Sequence, residues 1–177
     1  MIRVYCIRGL GEALATGSNP TDRGKAGTKR HLLTDGRGIP ISVVISGANR
    51  TDMKKLEALL DASLVPYPPD DPAQPTWHLV LDRGYDYDAC RQTALDHQLI
   101  PHIPPKASAA QPLPSPGHPD RHPPRRWVVE VAHSWFNRFR RLLIRWEKRP
   151  DTYLALLQFA ATLIIYRKLR HARSLSG

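Results

Sequence analysis

The sequence has few cysteines, fewer acids than bases and no long apolar run. Only Cys6 and Cys90 occur among 177 residues, far apart and without a Cys-x-x-Cys spacing. That argues against a disulfide framework and against a thiolate zinc centre, and a reducing compartment suits such a chain. The best apolar stretch, "LALLQFAATLII" at 154–165, is too short to span a bilayer, which takes about 20 residues. The opening "MIRVYCIRGLGEAL" lacks the apolar core of a secretory leader. Against 26 Lys and Arg stand 16 Asp and Glu, a net charge of +10, with a pI near 10.1. This imbalance favours a polyanionic partner, nucleic acid or an anionic membrane surface.

What is present suits one domain of ordinary size, with 41% hydrophobic residues to fill a core. Residues 1 to 27 show no clear apolar period and read mostly as loop. "TKRHLLT" and "IPISVVISG" are β-prone runs separated by "DGRG", and Asp35-Gly36 predicts a hairpin because glycine tolerates the positive φ of tight turns. In "NRTDMKKLEALLDASL", Thr51 or Asp52 can cap a helix whose apolar face is Met53, Leu56, Leu59 and Leu60. The prolines of "VPYPPDDPAQPT" end it. A strand at 77–81, a helix from Tyr85 to His97 and a short strand in "LIPHIP" follow, and this alternation predicts an α/β domain with a mixed sheet. The Pro-rich 104–125 reads as a linker. Beyond it, apolar spacing predicts one helix through "RRWVVEVAHSWFNRFRRLLIRWEKR", a break at Pro150-Asp151, and a last helix from Asp151 to His171.

Two carboxylates stand out. Asp82 ends a buried strand and precedes Arg83-Gly84. In α/β sheets functional groups collect at the carboxyl ends of strands, so Asp82 is placed to hold a cation; equally, it is placed to cap the helix that follows. Glu130 lies in a basic and aromatic helix, on one face with Arg126, His133 and Asn137. An Arg126–Glu130 ion pair on the surface is the plainer account of it. Taken together with the basic surroundings, the two acids suggest a magnesium-dependent phosphodiester site, since hard cations take oxygen ligands. His31, His78 and His133 read as structural, because no His-x3-His or Cys/His spacing accompanies them.

The strings "TDRGKAGTKRHLLTDGRGIPISVVISGANRTD", "LVLDRGYDYD" and "RRWVVEVAHSWFNRFRRLLIRWEKR" resemble the catalytic region of DDE transposases of bacterial insertion sequences, the insertion-sequence-5 group of the insertion-sequence-4 type. The resemblance covers nearly all of residues 18 to 170. It implies an RNase H-like fold with flanking helices, a C-terminal helical pair and an incomplete first strand. Residues 28–103 would be the first part of the catalytic core and 126–171 the helices that complete it. It also implies Mg²⁺ or Mn²⁺ held by three acids, transposon-end and target DNA as partners, and a bacterial cytoplasmic, nucleoid-associated location with no membrane. Asp82 corresponds to the second acid and Glu130 to the third. Arg126 matches the arginine of the Tyr-x2-Arg-x3-Glu-x6-Lys signature, and Arg138, Lys29 and Arg30 are further candidate DNA contacts.

The departures from the family are specific. Pro123 stands at the signature tyrosine, Asn137 at the lysine, and Val131 replaces the arginine that often follows the glutamate. The first acid belongs on the first strand, where "MIRVYCIRGLGE" has no aspartate; Asp22, Asp35 and Asp52 fall elsewhere. The expectation is therefore a second-frame product or a truncated remnant, acting as a homodimer or with an upstream-frame product. Two other readings stand beside catalysis: a DNA-binding or inhibitory fragment without activity, and a ribonuclease of the same fold.

Overall fold

The structure, a computed structural model, describes residues 2–9, 14–20, 22–67, 77–106 and 126–174. Its centre is a mixed sheet. Strand β3 (Ala26–Thr34) pairs antiparallel with β1 (Ile2–Gly9), with the two-residue β2 (Gly17–Ser18) and with β4 (Pro40–Gly47). Gly27 pairs with both Arg8 and Gly17, so β2 lies on the β4 side of β3. On its other edge β1 pairs in parallel with the short β7 (Ile144–Arg145). Strands β5 (Trp77–Val80) and β6 (Leu99–His102) form a separate two-stranded parallel sheet.

Several expectations need correction. The N-terminal segment read as loop contains β1, an eight-residue strand between β3 and β7; its sequence shows no clear apolar period, and pairing with these two strands is what makes it a strand. The hairpin is present, but its connection runs from Asp35 to Ile39. The left-handed residue is Gly38, at φ +85°, and not Gly36. Asp35 Oδ1 accepts the N–H groups of Arg37 and Ile39, both at 2.8 Å, so the aspartate closes the loop. A Cβ on Gly38 would come within 2.9 Å of the Val128 carbonyl oxygen, which makes glycine necessary where the loop meets the next helix.

After β4, a 3-10 turn (Asp52–Lys55) leads into the short helix α1 (Leu56–Asp61), and neither Thr51 nor Asp52 makes a side-chain cap. Helix α2 begins at Asp88, later than expected, because Arg83–Tyr85 form a 3-10 turn; it ends at Asp96. The expected long penultimate helix stops early. Helix α3 runs Arg126–Asn137, and Phe139 turns extended (φ −87°, ψ 100°) before a 3-10 turn and β7. Helix α4 opens at Pro150, where the missing N–H breaks no bond, and runs to Ser174. Of the linker, 107–125 lies outside the described residues.

Adjacent residues Leu32 and Leu33 point to opposite faces of β3 and found two cores. One gathers Leu33 with Ile2, Leu56, Leu59, Leu60, Leu79, Leu81 and Tyr85 beneath α1, α2 and β5. The other gathers Leu32 with Ile7, Val43, Val129, Phe136, Tyr153 and Leu157 beneath α3 and α4. Each fully buried leucine contributes about 1.5–3 kcal/mol relative to exposure.

Polar groups are buried in the same layer. The Arg145 guanidinium, 1% exposed, donates to Thr28 Oγ1 (3.0 Å), the Leu14 carbonyl (2.6 Å) and the carbonyls of Glu147 (3.0 Å) and Lys148 (3.2 Å). Replacing Arg145 with Met should lower unfolding free energy by about 3 kcal/mol, since it leaves four acceptors, two of them buried, without this donor. Urea denaturation measures this; a loss below about 1 kcal/mol would show the network to be marginal.

His31 is fully buried, with Nε2 bound to Ser46 Oγ at 2.8 Å. Burial pushes its pKa down to about 4, with the Lys29 and Lys55 charges adding to the fall and Asp52 opposing it. The unfolded chain therefore binds a proton near pH 6.5 that the folded chain refuses. The stability this represents is complete above about pH 6.5 and is lost as pH falls towards 4, by roughly 3 kcal/mol in all. Urea midpoints should drop between about pH 7 and about pH 5 and do so much less in His31→Gln.

Candidate functional site

The stretch "DRGYDYD" carries acids with different tasks. Asp82 follows β5 in extended conformation, and its Oδ1 accepts the Gly84 N–H at 2.7 Å. A Cβ at Gly84 would lie 2.8 Å from that oxygen, so glycine lets the backbone close on the carboxylate. Capping is thus part of what Asp82 does. The bond also fixes the carboxylate's direction, and Oδ2 takes no hydrogen bond among the described residues. Asp86 is saturated by contrast. Its Oδ2 accepts the Lys106 N–H (2.6 Å) and its Oδ1 the Arg91 guanidinium (2.5 Å). The Lys106 N–H first, then Arg91, hold its carboxyl below the usual carboxylate range. Asp86 ties the loop after β5 to the loop after β6; Asp82 keeps one oxygen for other work. Behind them Tyr85 is buried, and burial first, then the charges of Asp52 and Asp82, raise its hydroxyl pKa.

Glu130 is exposed on α3, at the edge of the face that buries Val129, Ala132 and His133. The face expected from helical spacing is therefore graded: His133 is buried, Asn137 half-buried and Glu130 exposed. Arg126 opens α3, and its side chain lies outside the described residues. Asn137 Oδ1 accepts from Arg30 Nη2 at 2.7 Å.

That bond corrects one expected DNA contact. Arg30 is 1% exposed, facing α3 with its guanidinium 5.9 Å from the Phe136 ring, out of reach of a phosphate. Alternation on β3 turns it inward. Lys29 points to the other face, where Nζ donates to Asp52 Oδ1 and to the Arg50 carbonyl, each at 2.8 Å. Arg138 is exposed just past α3. Of the aromatics near it, Phe136 is buried, whereas Trp127 (62%) and Trp146 (58%) are exposed.

Among the described residues no three of His, Cys, Asp and Glu come together to hold one metal ion, and β1 carries no acid. The donors present are of the right chemistry for a hard cation, but they do not complete a three-carboxylate centre. No helix among them is long and apolar enough to cross a membrane.

A basic α/β domain with an oriented strand-end aspartate and a helical glutamate on a separate element is the architecture these observations define. The model of the transposase DDE domain family matches residues 8–165, and the chain belongs to that family. It is 36% identical over 162 residues to the "Putative transposase for insertion sequence element IS402" of Burkholderia cepacia, covering 89% of this chain and 71% of that protein. No solved structure matches it.

Because Asp82 is a cap as well as a candidate ligand, Asp82→Ala should lower stability by about 1 kcal/mol, and Asp82→Asn by less, since the amide oxygen still accepts from Gly84. Thermal melting of the two variants tests this; equal losses would show that the Gly84 bond contributes nothing.

Proposed function

We propose that the chain is a transposase catalytic domain of RNase H-like fold, with Asp82 and Glu130 as ligands for Mg²⁺ or Mn²⁺ in DNA cleavage and strand transfer. The observation that carries this reading is the strand-end carboxylate of Asp82, oriented by its own backbone with one oxygen kept open, in a chain of the DDE family. The antiparallel β1, β3 and β4 followed by alternating helices and strands suit such a fold. Divalent ions in this chemistry stabilise the charge on the attacking and leaving oxygens. Two carboxylates are too few to support a paired-ion step from these residues alone. What the chain does by itself is bind: Arg138, Arg140, Arg141, Lys148 and Arg149 are exposed around the α3–α4 connection and suit phosphate oxygens.

A second reading, DNA binding without catalysis and hence inhibition of a complete enzyme, is favoured by the acid-free β1. One experiment separates the two: nicking of labelled DNA carrying an element end, with Mn²⁺ or Mg²⁺, beside salt-dependent binding to the same DNA. Binding should weaken steeply with salt, as phosphate contacts require. Weak nicking that vanishes in Asp82→Asn and Glu130→Gln supports the catalytic reading, and nicking at unchanged rate in both variants removes it. Binding with no nicking in any form leaves the inhibitory reading in its place.

A further inference from the structure

The parallel register of β5 and β6 sets Val80 opposite His102 and His78 opposite Ile100. Leu79 and Leu99 turn to the core, so His78 and His102 share the opposite face. There His78 Nδ1 and His102 Nε2 approach to 2.7 Å. The ring centroids are 4.9 Å apart and the planes 25° from parallel. With two nitrogens that close and the centroids that far apart, the rings lie end to end, not face to face. The two nitrogens therefore point at one spot between the strands, and that spot is occupied by a single shared hydrogen.

We propose that His78 and His102 form a two-imidazole clip for a borderline divalent cation of the Zn²⁺ or Cu²⁺ kind, a site separate from the carboxylates and independent of the catalytic reading. Imidazole nitrogen selects such ions over Mg²⁺. Coordination moves the shared hydrogen and needs no net proton: His78 carries its hydrogen on Nε2 and His102 on Nδ1, and both inner lone pairs go to the ion. Metal–nitrogen bonds of about 2.0–2.1 Å at a tetrahedral angle ask the nitrogens to separate by roughly half an ångström. His78 is exposed. Water fills the remaining positions. The His102 carbonyl accepts the Leu81 N–H at 3.0 Å, so an ion on His78 and His102 would clamp the two strands four residues before Asp82.

Zn²⁺ titration of the full chain by calorimetry tests this, against His78→Ala, His102→Ala, the double variant and His171→Ala, the last an exposed histidine on α4. Circular dichroism confirms that each is folded. The expected result is one saturable site, weakened about tenfold or more by either strand substitution and unchanged in His171→Ala, with Zn²⁺ raising the melting temperature only where both strand histidines remain. The proposal is overturned if the wild-type chain shows no saturable binding, or if the double variant binds with the same affinity and stoichiometry.

Discussion

The buried guanidinium of Arg145 is the constraint on which much of the fold depends. It reaches from β7 to Thr28 at the start of β3, to the Leu14 carbonyl and to two carbonyls of its own turn. Three distant parts of the chain thus share one charged group, and leaving water is offset only while all of them are in place. Burial lowers the pKa of Arg145, opposed by the charges of Tyr153 and Glu147. Glu147 is itself buried and receives Arg141 Nε at 2.9 Å. The same cluster holds a strained element: Ala15 sits at φ 59°, and its carbonyl accepts from Thr28 Oγ1 at 3.1 Å. A non-glycine residue stays left-handed when its surroundings over-determine it, and Arg145 and Thr28 grip the carbonyls of Leu14 and Ala15.

This constraint also explains why α3 ends at Asn137. The residues after it keep a helical apolar spacing, but a continuous helix would carry Arg145 away from β3. The competing interaction is more than a hundred residues distant in sequence, and no local pattern contains it. Arg30 acts on α3 from the sheet. By holding Asn137 it fixes which edge of the helix faces β3, and Glu130, two turns earlier, lies along that same edge.

How much could be read beforehand follows the same division between local and remote causes. The β3–β4 hairpin, the strand at Trp77, the α2 region and α4 are legible because β-prone runs, helical apolar spacing and Pro150 are local signals, although the left-handed residue of the turn is Gly38 and not the Gly36 of Asp35-Gly36. Strand β1 is not, because its pairing with β3 and β7 is what makes it a strand. Asp82 stands out from its position after an apolar run, and of its two expected roles the structure shows the capping one, at the Arg83–Tyr85 turn. Arg30 was misjudged because a basic residue in a basic segment looks exposed, whereas its parity on β3 sends it inward beside Leu32. The His78–His102 approach left no trace in the sequence, since the two residues lie on different strands and only the parallel register brings them together.

The carboxylates after β5 show how the domain separates structural from chemical demand. A carboxylate that accepts two strong donors, as Asp86 does, is a poor cation ligand, because its charge is already answered and its geometry committed. One left with no donor would turn freely and add disorder to any site it served. Asp82 lies between these limits, with one oxygen held by Gly84 and the other open. The Gly84 bond fixes its direction at little expense in charge, the kind of pre-orientation that ligation requires. Among the described residues β1, the strand beside β3, carries no acid. On these physical grounds the Gly84 N–H gives the carboxylate after β5 a fixed direction without answering its charge, whereas the two donors on Asp86 fix the direction and answer the charge together.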